Sequence, residues 1–236
     1  MFFYIDWYYV VLVLPAVIVS IIASANVSST FNKYAKVRSR LGITGERAAR
    51  RMLDENGLSD VRIERISGEL TDHYDPRAKV IRLSASTYDN ASPAAIGVAT
   101  HEVGHAIQHS QNYFPIKVRQ AIIPITNIGS KLAVPLIIIG IFLSMYGAVY
   151  SYIAYLGVAL FSLCVLFQLV TLPVEFNASK RAMKSLKDSY MLTEEELPMA
   201  KKVLTAAALT YVAALAVSLA QLLRLLALVS GGRRRR

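Results

Sequence analysis

Only four of the 236 residues are histidines, and two of them stand in the run His101-Glu102-Val103-Gly104-His105. On a helix, residues four apart share a face with their Cβ atoms about 6 Å apart, so two imidazoles can grip one ion. A glutamate beside the first imidazole sits where it can take a proton from a metal-bound water. Two histidines need a third ligand, and three residues compete for that place. His109 continues the four-residue spacing but lies two turns, about 12 Å, along the axis from His101, too far for three bonds of about 2 Å to one ion. It reads as a surface or interface residue. His73 lies in a turn and could reach the site. Glu175, in Leu172-Pro173-Val174-Glu175-Phe176, is a lone carboxylate just after an apolar stretch and fits best. Two histidines and one glutamate leave a fourth position open for water, the arrangement of a catalytic zinc.

The elements that must position these residues are legible nearby. Ser92-Pro93 is a cap followed by proline at the first helical position, so a helix is predicted from there through His101 to about His109. Thr44-Gly45-Glu46 opens another, which Gly57 ends. Val61 to Ile66 alternates apolar and charged residues, and Lys79 to Ser84 reads as a second strand, with Thr71 to Pro76 as the turn-rich link. The strand at Lys79–Ser84 is either an ordinary edge strand or one that pairs with an extended substrate.

Composition sets the surroundings. The chain is 54% hydrophobic and 18% charged, against about 25% charged for a soluble domain, with a mean hydropathy of +0.41. Leu132 to Val174 contains no Asp, Glu, Lys or Arg, about twice the roughly 20 residues that cross a bilayer as helix. This is a membrane protein. Ile5 to Ala25 reads as a first span with Trp7, Tyr8 and Tyr9 at its interface. The uncharged block reads as a hairpin, Ile128–Tyr146 and Tyr155–Pro173, and Val203–Ser230 is a fourth apolar stretch interrupted by Arg224.

The formal charge of +10 is spread over the segments between spans and the terminal run Arg233–Arg236. No basic stripe with interleaved aromatics exists, which excludes nucleic acid as the expected partner. Lys33, Lys36, Arg38 and Arg40 follow the first span, so the positive-inside bias puts the N-terminus outside and the next segment in the cytoplasm. If the last stretch spans, the basic tail lies outside, against the bias; either the earlier loops outvote it or that helix packs on the cytoplasmic side. The one cysteine, Cys164, lies in an apolar span and permits no disulfide framework.

Together His101–Gln108, Leu70-Thr71-Asp72-His73-Tyr74-Asp75-Pro76 and Leu172–Phe176 resemble the YugP-type family of membrane zinc metallopeptidases over nearly the whole chain. The motif alone is also similar to the HtpX and CAAX-protease group, where a glutamate after two spans is the third zinc ligand. The resemblance implies Glu175 in that role. In that group an aspartate four residues further on supports a histidine ligand; here the position is Ser179, and Asn177 is the nearer polar candidate.

The expected architecture is a mainly α membrane protein, with about four apolar helices and a small α+β zincin-like cytoplasmic domain carrying the HExxH helix. The expected divisions are residues 1–25, a first transmembrane helix; 26–127, the catalytic domain; 128–174, the hairpin; and 175–202, a helical segment supplying the third ligand. Residues 203–230 form the fourth apolar helix and 231–236 the basic tail. One Zn²⁺ per chain is held by His101, His105 and Glu175, which lowers the pKa of its water toward about 7. Glu102 is the general base, and His73 or Tyr74 the oxyanion donor. The partners are the lipid bilayer and a protein or peptide substrate, membrane proteins among them. The expected location is the bacterial plasma membrane, as a multi-pass protein. A non-catalytic scaffold retaining the metal-binding fold is the competing reading, and it has no need of Glu102. A pore rests only on Arg224, the one charge inside an apolar stretch.

Overall fold

The computed structural model describes residues 6–231; the expected tail, Arg233–Arg236, lies outside them. The elements are α1 (Leu14–Ala35, entered through a π-helical stretch Tyr9–Val13), α2 (Gly45–Glu55), β1 (Arg62–Ile66), β2 (His73–Asp75), β3 (Val80–Ser84), α3 (Ala85–Tyr88), α4 (Pro93–Ser110), α5 (Phe114–Leu143), α6 (Ser151–Asp188) and α7 (Leu197–Gly231). Four helices among the described residues are long and apolar enough to cross a membrane: Tyr9–Ala35, Phe114–Leu143, Ala148–Asp188 and Leu197–Gly231.

The chain divides into two compact units. The first comprises, among described residues, 6–22, 117–172 and 211–231. Its helices expose large apolar side chains such as Ile22, Ile128, Phe142, Leu156 and Leu223, as surfaces facing lipid do. Lipid tails offer no hydrophobic drive for helix association, so close packing through small residues must supply it. Gly140 does so: an added Cβ there would collide with the backbone of Ala154. Arg224 does not interrupt α7. Its Nη2 and Nε lie 2.7 and 2.8 Å from Asp6 Oδ2, and its guanidinium sits 5.2 Å from the Tyr9 ring centre. A charge in an apolar stretch is thereby neutralised by a partner, and the pore reading loses its one support.

The helical hairpin is longer than its sequence suggests. Pro124 and Pro135 lie inside α5 and Pro173 inside α6, and neither helix stops there. Each proline removes one backbone donor, a loss that helices in apolar surroundings accommodate by local adjustment. Passing Pro173 without a break gives Glu175 and Ser179 the four-residue spacing of one helix face.

The second unit, Ala23–Ile116 and Pro173–Thr210, holds the sheet, whose order is β1-β3-β2. β1 pairs with β3 in parallel, with Ile63 opposite Ile81, and β2 pairs with it antiparallel, with Tyr74 opposite Ile81. Both edges of β3 are therefore occupied, and the expectation of an edge strand at Lys79–Ser84 fails. The cause lies in the link read as turn. Asp72 accepts hydrogen bonds from Ser84 N at 2.8 Å and from Thr87 Oγ1 at 3.2 Å, clamping His73–Asp75 against β3.

Local signals set the helix starts. Thr44 Oγ1 accepts from Arg47 N at 3.3 Å and Ser92 Oγ from Ala95 N at 3.2 Å, each satisfying an orphan donor of a first turn. Gly57 follows α2 with φ +68°, a conformation that favours glycine. Ala48, Met52 and Leu53 of α2, Ile81 and Leu83 of β3, Ile96, Val103 and Ile107 of α4, and Leu186 of α6 form one buried core. Each large side chain buried there contributes roughly 1.5–3 kcal/mol. The core holds α4 on both flanks, which makes it a rigid carrier for the histidines.

Candidate metal centre

His101 and His105 lie one turn apart on α4, their rings edge to face with centres 4.8 Å apart. Glu175 of α6 is 3% exposed. Its Oε2 lies 3.4 Å from His101 Nε2 and 3.5 Å from His105 Nε2. Among the described residues these three offer ligand atoms that all lie within 4.8 Å of one another. Zinc bonds of about 2.0–2.2 Å at tetrahedral angles place ligand atoms roughly 3.4 Å apart, which matches both separations between Glu175 and the histidines.

The approach of α6 to α4 depends on Gly104. A Cβ there would stand 2.6 Å from Ala178 O and 3.0 Å from Ala178 Cα, closer than any real side chain sits to backbone. Glycine inside the histidine motif is thus what lets the two helices close to the distance at which Glu175 meets both rings.

The rings are oriented from behind. Gln108 is fully buried. Its Nε2 donates to Val174 O at 2.7 Å and to Asn177 Oδ1 at 3.0 Å. With the amide nitrogen so engaged, its Oε1 faces His105 Nδ1 at 3.0 Å and must accept that proton. The lone pair of His105 is left on Nε2, pointing at Glu175. Arg181 Nε donates to Asn177 Oδ1 at 2.7 Å and its Nη1 to Gln111 Oε1 at 2.7 Å, which anchors the far end of this relay. His101 Nδ1 lies 3.1 Å from Ser179 Oγ. Two imidazole nitrogens and a carboxylate oxygen converge, an arrangement that calls for a positive charge between them. Burial disfavours the His105 imidazolium, but the Glu175 carboxylate, aided by Glu102 and Gln108, outweighs it and holds the pKa above the usual histidine value. A cation in the cluster would take the place of that proton.

Other residues singled out in the sequence fall in different places. Glu102 is buried on α4 beside the cluster. Ser179 touches His101 directly, whereas Asn177 acts on His105 only through Gln108. His73 is exposed on β2, its Nδ1 2.9 Å from Thr71 O, and is not among the three converging residues. Tyr74 packs on the core and meets the His109 ring edge to face at 5.5 Å. The roles of Gln108 and Arg181 are not legible from their own stretch of sequence, apart from the three-residue step that puts Gln108 on the helix face of His105.

Supporting groups of this kind typically change metal affinity by about 10–100-fold. Gln108→Leu should therefore weaken zinc binding by roughly tenfold or more, read by competition with a chromophoric chelator. Arg181→Gln, one step further out, should weaken it less. Equal affinity in the wild type and Gln108→Leu would remove Gln108 from the site.

Two imidazoles and a buried carboxylate converging from two helices, in a chain with four helices able to span a membrane, mark a candidate metal site of a membrane protein. The chain matches the profile of a family described as "Putative neutral zinc metallopeptidase" over residues 9–230, and it belongs to that family. It is 45% identical over 225 residues to "Putative membrane protease YugP" of Bacillus subtilis (strain 168), covering 95% of this chain and 98% of that protein. No solved structure matches the chain.

Proposed function

We propose that the protein is a membrane-embedded zinc endopeptidase whose ligands are His101, His105 and Glu175, with Glu102 as general base. The observation that carries this reading is the convergence of two oriented imidazoles and a buried carboxylate, with the buried Glu102 next to the first imidazole on the same helix. The zinc supplies Lewis-acid chemistry, polarising the scissile carbonyl and acidifying water. The protein's own groups do the rest. Gln108 and Ser179 hold the imidazoles in place, and the relay through Asn177 and Arg181 keeps Gln108 from turning. Glu102 accepts a proton from the attacking water as its oxygen bonds to the carbonyl carbon, and gives a proton to the departing amine nitrogen. His73 or Tyr74 is the candidate for holding the developing oxyanion, which requires β2 to face the bound peptide.

The basic residues after α1 support a cytoplasmic location for the unit that holds the site, and the outward apolar faces of the long helices support an integral membrane protein. The substrate class is protein or peptide. The deciding measurement is metal content per chain in detergent-purified protein. One zinc is expected in wild type and in Glu102→Gln, and little in Glu175→Ala. Full zinc in Glu175→Ala would move the third ligand elsewhere, with His73 next in line. Absence of zinc from all three under conditions that do not strip it would favour a scaffold.

A further inference from the structure

A second cleft of the same unit lies between the later turns of α6 and the first turns of α7, with a volume of about 470 Å³. Its floor is apolar, formed by Phe176, Met183 and Leu204. Its rim carries Lys180, Lys184, Lys187 and Lys201, and no acidic residue lines it. All four lysines are exposed. None of the ion pairs among the described residues involves them. Four cations without an ion-pair partner above an apolar trough repel one another and call for an anionic occupant that also carries an apolar part.

Position along the helices says which. α6 carries no charge through Val174, and its first lysine comes about 9 Å further along the axis. α7 runs the other way: Lys201 and Lys202 precede an apolar stretch that begins at Val203. Phe176 and Leu204 thus lie where the two helices turn apolar, and Lys184 and Lys187 lie toward their charged ends. Lysine clusters directly beside a span attract anionic lipid headgroups, and the trough beneath them suits an acyl chain.

We propose that this cleft binds one anionic phospholipid, its phosphate among Lys184, Lys187 and Lys201 and an acyl chain along Phe176, Met183 and Leu204. Ser179, which holds His101 Nδ1, forms part of the same wall, so the lipid would lie behind the metal centre rather than in it. The proposal does not depend on the peptidase reading.

The test uses full-length protein in a zwitterionic detergent, titrated with fluorescent phosphatidylglycerol and, separately, phosphatidylcholine. Wild type should prefer phosphatidylglycerol, and the triple variant K184Q/K187Q/K201Q should bind it about tenfold more weakly or worse. Thr205 is an exposed wall residue; T205W keeps every charge, fills the trough and should also lose the lipid. A control with three exposed cations removed on α2 and around the sheet, R47Q/R62Q/R77Q, should bind as wild type does. Size-exclusion profile and helicity confirm that each variant is folded. The proposal is overturned if wild type shows no preference, or if the control loses as much as the triple variant. It is also overturned if an acidic peptide without an acyl chain displaces the lipid at equal concentration, which would make the cleft a peptide groove.

Discussion

Replacing Glu102 by glutamine should lower hydrolysis of an unfolded fluorogenic protein substrate by about 10²–10⁴-fold, the usual contribution of a positioned proton acceptor, while zinc content stays at wild-type level. Glutamine keeps the volume and polarity of the buried side chain, so α4 and its core remain packed. What it lacks is a basic oxygen able to receive the proton of the attacking water. The two readouts separate the competing readings. A scaffold that merely retains the metal would be indifferent to the change. An enzyme with Glu102 as base loses turnover and keeps its ion. Undiminished hydrolysis in Glu102→Gln would remove Glu102 from the chemistry, and loss of zinc along with activity would make it a structural support of the ligands.

The second large effect is expected at Gly104. Its Cβ position already falls 2.6 Å from Ala178 O, and a backbone oxygen in mid-helix cannot swing aside. Alanine must push α4 and α6 apart, and valine further. Overpacking of this kind typically costs about 1–3 kcal/mol. The larger consequence is at the ligands, because Glu175 Oε2 is carried by the helix that moves while both Nε2 atoms stay on α4. Gly104→Val should therefore lose zinc in a chelator competition even where detergent-solubilised protein stays helical. Val103→Ala is the companion variant. Val103 is fully buried in the core on the same helix, so its truncation should lower the thermal midpoint while leaving zinc affinity near wild type. If both variants lost zinc equally, the effect would be general loosening and not the helix approach.

These expectations show which features could be read along the chain. The His101–His105 spacing, the Ser92-Pro93 start of α4, the Thr44 cap of α2, the alternation in β1 and the apolar stretches all follow from 3.6-residue and two-residue periods or from bilayer thickness. Such signals are local, and neighbouring residues carry them complete. Pro173 shows the limit of the same reasoning. A proline followed by a charged residue looks like a helix boundary, yet α6 runs on to Asp188 because losing one backbone donor costs less than unpacking a long helix from its neighbours. Thr71–Pro76 likewise looks like turn alone, and the Asp72 clamp on Ser84 and Thr87 makes part of it a strand.

The sequence by itself determined the apolar stretches long enough to span a bilayer and the helix that puts His101 and His105 on one face with Glu102 beside the first, and it narrowed the candidates for a third ligand to a short set. Only the tertiary structure decided what meets what. It brought Gln108 to Val174 across 66 residues and Ser179 to His101 across 78. It paired Arg224 with Asp6 across 218 and placed β3 in the middle of its sheet. Those outcomes rest on which helix faces pack together and how closely. That closeness is set at Gly104 by the absence of a side chain, whose consequence appears only when Ala178 arrives from the other helix.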